Sequence, residues 1–474
     1  MLGAQIKRLA KQSAIYGLGG IVSRLLAIFL LPLYTTYLGT RGFGKIETIL
    51  ALTTVVAVIL RFGITSAFFR FYFDSNDPAR RTLVVRTSFW FTMAMATLGL
   101  VLGCVFATPL AHALRFGDDP WLVRAGFVGL WAQMNYQQLT SLFRVEERPV
   151  AFVSATVANV LITVGMTVLL VVGLDKGATG AVVGNFIGTL AVYFALLGYR
   201  RYQLGLEFDR RLLRAMNKFG LPLVPSALAL WAITFIDRFF VAVFKGQSEV
   251  GVYSLAVRIA SVIAFLMVAF QLAWPAFAYS IEDEGVAKRT YAFVLTYLLL
   301  VCSWMSLVLG LLSPWLVQIL APNDAAFWRA SEAVGILAFA ATAYAGYTVL
   351  AIGIGRARRT QFNWIVTGAA ALINVLLNLA LIPPYGMMGA AIATAVAYVV
   401  MFVGMTLNAQ RVWPVPYQWR RVLTLTLVAV GLLVIGKAVD APLPLAIALC
   451  LVYPVALLPF RFYLPAELRR LRLS

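Results

Sequence analysis

Apolar runs of about 18 residues or more recur along the whole chain, interrupted by short charged or Pro/Gly-bearing breaks. Each is long enough for the roughly 20 residues that carry a helix across the hydrocarbon core of a bilayer. The runs do not alternate apolar and polar at period two, so a transmembrane β-barrel is excluded. The pattern predicts an all-α polytopic membrane protein of about 14 transmembrane helices. The spans fall at 13–38, 46–71, 83–110, 120–143, 149–173, 178–199, 217–243, 249–277, 290–312, 327–352, 360–382, 387–408, 421–437 and 443–460. The first, preceded by "MLGAQIKRLAK", is too long for a signal-peptide core and reads as a retained span.

The spans are not all independent. "GFGKIETILALTTVVAVILRFGITSAFFRFY" from Gly42 has a faint echo in "EVGVYSLAVRIASVIAFLMVAFQLAWPAFAY" from Glu249, where Gly44 answers Gly251 and Tyr72 answers Tyr279. A clearer pair begins at Val157 and Leu372. There Asn159 answers Asn374, and Gly180, Gly184 and Gly188 answer Gly389, Ala393 and Ala397. Small residues at every fourth position let helix backbones approach closely. Both pairs lie an even number of spans apart, so the copies insert in the same sense, an arrangement found in alternating-access transporters. The expected organisation is two pseudo-symmetric six-helix lobes, at 1–200 and 217–410. A basic linker at 201–216 joins them, and residues 411–474 add two C-terminal spans and a basic tail. Pro32 in span 1 and Pro222 and Pro225 in span 7 kink the corresponding first helices of the lobes.

Composition sharpens this picture. Of 474 residues, 62% are hydrophobic and 12% charged, with a mean hydropathy of +0.87, whereas a soluble domain is nearer a quarter charged. The net charge of +20 is spread over many short loops and forms no clustered basic face, so no nucleic-acid partner is implied. Instead the cations alternate: "IKRLAK", "DPARR", "RVEER", "GRARR" and "LRRLR" fall on one side, and scattered residues such as Arg41, Arg115 and Lys176 on the other. An excess of Lys and Arg marks cytoplasmic loops, so both termini are expected inside. The inter-lobe segment "YRRYQLGLEFDRRLLRAMNKFG" reads equally as an amphipathic stretch on anionic lipid or as a connector whose charges set orientation. No loop is long enough for a soluble catalytic domain. Cys104, Cys302 and Cys450 lie in separate apolar runs, and His112 has no ligand-spaced neighbour, so neither a disulfide framework nor a zinc site is implied.

Charges inside spans are costly, at about 2.5–3.5 kcal/mol each at a helix centre on insertion scales, and so mark function by default. By helical rise, Arg24 lies roughly 17 Å from the inner face, Arg61 about 15 Å from the inner end of span 2, and Arg258 about 14 Å from the outer face. Guanidinium forks suit phosphate, and a phosphate-bearing lipid headgroup is the natural guest for three such cations around water. The alternative is that each arginine bonds carbonyls or a carboxylate and locks packing. Gln133 and Gln137 share one face of span 4, where they can meet sugar hydroxyls or bond neighbouring helices. Glu47 and the pair Asp237–Arg238, near outer span ends, read as ordinary surface ion pairs. Asn374 and Asn378 reach the same depth as Asp237 and Thr394; these oxygens can cage a hard cation or serve as hydrogen-bonded packing.

The stretches "GLGGIVSRLLAIFLLPLYTTYLGTRGFGKIETILAL", "RFGITSAFFRFY" and "INVLLNLALIPPYGMMGAAIATAVAY" closely resemble the polysaccharide flippases of the MOP (multidrug, oligosaccharidyl-lipid, polysaccharide) exporter superfamily. The resemblance covers nearly the whole chain. It implies a MATE-like fold and a non-enzymatic protein of the bacterial inner membrane that moves undecaprenyl-pyrophosphate-linked oligosaccharide to the outer leaflet for surface-polysaccharide synthesis, alongside other assembly proteins. It also implies a cationic cavity, where Arg24, Arg61 and Arg258 match. No cofactor is implied beyond a coupling sodium ion or proton, for which Asp237, Asn374, Asn378 and Thr394 are the matching positions. The rival functions are a drug/cation antiporter of the same fold, whose cationic cargo these arginines repel, and a membrane-embedded polymerase or ligase, which needs a larger outer loop.

Overall fold

A computed structural model of the chain describes residues 30–464 apart from Asp118, Tyr202 and 357–362. Among the described residues the structure is helical, without strands. In chain order the helices are α1 (Leu31–Arg61), α2 (Ile64–Phe73), α3 (Pro78–Val105), α4 (Ala107–Ala113), α5 (Pro120–Val145), α6 (Pro149–Val168), α7 (Gly177–Arg200), α8 (Arg210–Gly220) and α9 (Val224–Lys245). They continue with α10 (Gln247–Ala260), α11 (Val262–Ser280), α12 (Glu284–Leu320), α13 (Ala330–Arg356), α14 (Asn363–Tyr385), α15 (Met387–Val412), α16 (Trp419–Ala438) and α17 (Leu443–Ala456). Ten of these segments are long and apolar enough to cross a membrane, or 11 if α10 and α11, bent by 40°, form one span. Of the remaining predicted spans, α5 is long enough but carries a row of amides, α17 has only 14 residues, and most of span 1 lies outside the described residues.

Local sequence sets the ends. Asp77 and Asp119 cap α3 and α5 by accepting from backbone N–H groups of the first turn, each followed by a proline at the first helical position. Proline there gives up only an N–H that has no partner within the helix. Asp209 and Asp283 cap α8 and α12 in the same way.

Two features depart from the predicted spans. Span 2 begins earlier than residue 46, because α1 resumes its helix directly after a kink at Gly39 (φ 60°, ψ −176°). It is also broken near its C-terminal end, where Phe62 and Gly63 both take left-handed φ values of 48° and 70°. A break at membrane depth is tolerated where protein or a water-lined cavity satisfies the freed backbone. Here the break abuts Gly220, at the junction of α8 and span 7. A Cβ on Gly63 would strike the Gly220 carbonyl, and one on Gly220 the Phe62 carbonyl.

The chain forms two compact units, one ending at Gly251 and the other starting at Val252. In the first, α5 packs between α3 and α7, and α6 lies along α7. One of its cores gathers Phe68, Phe89, Phe143, Tyr193, Leu212 and Met216. Span 7 belongs to this unit because α9 lies against α1, with Trp231 Nε1 donating to the Ala51 carbonyl (3.2 Å). The start of α10 also docks on α1. A Cβ on Gly44 would meet the Gln247 carbonyl, one on Gly251 would meet the Thr40 carbonyl, and Thr48 Oγ1 donates to Gln247 Oε1 (3.0 Å). The two glycines that answer each other in the repeat thus stand on the two sides of one contact. In the second unit α13 packs against α12 and α15, with α14 on α15 and α16 on α12.

Candidate functional site

The polar interior of the first unit is built on α5. Its four amides divide by helical face. Gln138 donates to Ser88 Oγ (2.9 Å) and Asn135 to the Trp131 carbonyl (2.8 Å), so both are used in packing. Gln133 and Gln137, one turn apart, point instead into two adjoining cavities of about 490 and 380 Å³. Both cavities are also lined by Asn185 of α7. None of these three side-chain amides has a hydrogen-bond partner among the described residues. Arg61, the last residue of α1 before the break, lines the smaller cavity, likewise without a hydrogen bond or ion pair among the described residues. Arg144 lines the larger, its guanidinium 5.1 Å from the Phe152 ring.

The far wall is set by the glycine stripe of α7. A Cβ on Gly188 would collide with the Asn159 carbonyl and with Thr163, so only glycine lets α6 and α7 approach this closely. That approach brings Thr163 Oγ1 to the Asn185 carbonyl of α7 (3.2 Å), while within α6 the same hydroxyl lies 3.1 Å from Asn159 Oδ1. The result is a fixed polar surface beside unengaged amides. Gly188→Ala is expected to force the helices apart at a cost of about 1–3 kcal/mol. The readout is a lower thermal midpoint of the purified protein, and an unchanged midpoint would mean that the wall yields.

Of the residues singled out by sequence, Arg61, Gln133 and Gln137 come together in this unit. Arg24 lies outside the described residues, and Arg258 lies in the last turn of α10, in the second unit. Glu47, Asp237 and Arg238 are not surface pairs. They are 6%, 2% and 3% exposed, because α9 packs on α1. Arg238 Nη1 lies 3.2 Å from Asp237 Oδ1, and its Nε 3.6 Å from Glu47 Oε2. In the second unit Asn374 and Asn378 are fully buried, with Asn378 Nδ2 donating to Asn374 Oδ1 (3.0 Å). Asn378 Oδ1 and Thr394 Oγ1 are buried oxygens without a partner among the described residues. No group of three or more His, Cys, Asp or Glu gathers among the described residues. That unit also holds an apolar cavity of about 740 Å³, lined by Phe339, Val399, Phe402 and Leu423, with Arg420 among its lining residues.

Sequence reasoning missed Asn185, Arg144 and the Glu47–Arg238 contact. Asn185 was legible as a polar residue next to Gly184, four positions before Thr189 on the face that meets α6. The Glu47–Arg238 contact had no local signal.

Among the described residues the chain is a multi-span helical bundle whose first unit holds unengaged amides and a guanidinium in its interior. The family model described as "Polysaccharide biosynthesis protein" matches residues 9–280, and the chain belongs to that family. A second model, MatE, matches residues 222–380. The chain is 22% identical over 331 residues to "Lsg locus putative protein 1" of Haemophilus influenzae, covering 67% of this chain and 76% of that one. Among solved structures, "Lipid II flippase MurJ, inward closed conformation" superposes with a TM-score of 0.77 at 14% identity, covering 94% of this chain and 98% of that chain. An outward-facing multidrug resistance MATE family transporter of the MOP superfamily gives 0.62 at 14% identity, covering 86% and 96%. The fold is that of the MOP transporters.

Proposed function

We propose that this protein is a flippase that carries an undecaprenyl-pyrophosphate-linked oligosaccharide across the bacterial inner membrane, with both termini in the cytoplasm. The observation that carries this reading is the set formed by Arg61, Gln133, Gln137 and Asn185, which line adjoining cavities with side chains that have no hydrogen-bond or ion-pair partner among the described residues. Polar groups left unengaged at membrane depth are costly unless something else satisfies them. Neutral amides donate to and accept from sugar hydroxyls, while a guanidinium fork holds phosphate. A cationic drug is disfavoured beside Arg61 and Arg144. The apolar cavity of the second unit has the character to hold hydrocarbon from the cargo's tail.

Lobes at 1–200 and 217–410, joined by 201–216, alternate access around the cargo, with residues 411–474 appended. Arg24 and Arg258 are further phosphate contacts. Translocation forms and breaks no covalent bond, so it needs an energy source rather than catalysis. Asn374, Asn378 and Thr394 supply a coupling site for sodium or a proton. The products pass to other polysaccharide-assembly proteins.

The test is a proteoliposome assay in which lipid-linked oligosaccharide becomes accessible to a membrane-impermeant reagent. Wild-type protein is expected to translocate the cargo, and Gln133→Leu with Gln137→Leu to slow it roughly tenfold, the size of one or two lost hydrogen bonds. Under a sodium gradient, Asn378→Leu is expected to remove the stimulation and leave the basal rate. Vesicles that move cationic dyes but no lipid-linked sugar would end this reading.

A further inference from the structure

The helix α8 carries a charged face that the proposed translocation does not use. Two of its apolar residues, Leu212 and Met216, are buried in the core that holds Phe68, Val84 and Phe89, and Gly220 abuts the break in span 2. The opposite face is left outward. Arg210, Arg214 and Lys218 follow at intervals of four, all exposed, and line a trough of about 520 Å³ together with Leu213, Asn217 and Leu221. No carboxylate lines the trough, and none of the three cations has an ion-pair partner among the described residues. Positions four apart lie on one side of a helix, so the stripe is continuous and about 12 Å long at 1.5 Å per residue.

The surroundings place this stripe at a membrane boundary. The segment leading into α8 is tied to α3, with Trp90 Nε1 donating to the Gly205 carbonyl (3.0 Å) and the Asp209 N–H to Thr87 Oγ1 (3.2 Å). Tryptophan is enriched at the headgroup level. Leu206 is 86% exposed, and Phe208, Leu221 and Leu223 are exposed on the flanks, apolar tips that water disfavours and acyl chains accept. The distribution of Lys and Arg along the chain puts this end on the inner side.

We propose that the Arg210–Arg214–Lys218 face of α8 is a binding site for the phosphodiester headgroups of anionic phospholipids of the inner leaflet. Its length exceeds what one diphosphate can neutralise, and its apolar flanks suit resident lipid rather than a soluble ion. Juxtamembrane cations each add to such attraction, which salt screens within a Debye length. Because α8 is held to the protein by its apolar side, the lipid meets a pre-formed surface and orders no helix on binding.

The experiment is native mass spectrometry of the full chain in detergent, titrated separately with phosphatidylglycerol, phosphatidylethanolamine and undecaprenyl pyrophosphate. Wild-type protein is expected to retain phosphatidylglycerol over phosphatidylethanolamine. Arg210→Gln, Arg214→Gln and Lys218→Gln together are expected to weaken that retention on the order of 100-fold. Added salt should weaken it in the wild type only, and Arg210→Lys with Arg214→Lys should keep it. The three positions are exposed, so the glutamine variant should keep its thermal midpoint. Three results would overturn the proposal: equal retention of both phospholipids by wild type, undiminished phosphatidylglycerol binding by the glutamine variant, or loss in that variant of undecaprenyl pyrophosphate binding alone, which would make the stripe a cargo contact.

Discussion

Arg61→Ala is expected to abolish export of surface polysaccharide in a strain that depends on this protein, while its amount in the membrane and its thermal midpoint stay unchanged. The expectation follows from what the side chain lacks. At the end of α1 it lines a cavity with Gln133, Gln137 and Asn185 and makes no hydrogen bond or ion pair among the described residues. Removing it therefore leaves no described group unpaired, and the fold of the described residues should not suffer. A hydrogen bond to a charged group contributes about 1.5–3 kcal/mol, so losing a phosphate contact slows the cargo roughly 10- to 150-fold. Lysine keeps the charge but loses the planar fork, so Arg61→Lys should fall between wild type and alanine. Full export by Arg61→Ala at normal protein level would remove phosphate recognition from this cavity.

Arg200→Ala should also end export, for the opposite reason. Arg200 is 3% exposed and grips Glu146 through two bonds, Nη1 to Oε1 (2.7 Å) and Nη2 to Oε2 (2.8 Å). Nη1 also donates to Gln203 Oε1 (2.8 Å), and the guanidinium lies 4.6 Å from the centre of the Phe143 ring. This cluster clamps the end of α7 to the end of α5. Breaking a buried pair from one side costs about 3–5 kcal/mol, because the remaining charge loses its partner. The Glu146 side chain keeps 21% exposure and has Arg148 at 3.5 Å, which puts the expected loss near the lower figure. The readout is a lower thermal midpoint and reduced membrane yield. Replacing both partners by apolar residues, Arg200→Met with Glu146→Leu, should recover part of the stability. An unchanged midpoint in Arg200→Ala would show that the clamp is not needed.

The contrast between these two arginines also marks what sequence can and cannot convey. Hydropathy located the helices because crossing a bilayer demands long apolar runs, whatever the tertiary contacts. It placed the start of span 2 after the helix begins, since Arg41 and Lys45 interrupt the apolar run although the helix continues through them. The break at Phe62–Gly63 was hidden, because a glycine in an apolar run looks like a packing residue until the backbone it meets is known. Spacing put Gln133 and Gln137 on one face among four neighbouring amides, since period 3.6 assigns faces. It could not say that one face was occupied by Ser88 and the other open. Asn185 was overlooked within a stripe of small residues that was explained by packing alone, although close packing is what presents it. Glu47 and Arg238 were read as surface groups, because nothing local to either reveals that α9 lies on α1.

The contact in which Gly44 faces the start of α10 and Gly251 faces the turn before α1 resumes has a consequence for how the sequence can drift. A methyl group gained at either position intrudes on the backbone across the same seam. Equivalent positions of an internal repeat normally diverge separately, each answering to its own neighbours. Here they answer to each other, so enlargement at one cannot be relieved by keeping the other small. Across relatives the two positions should behave as a single inherited character.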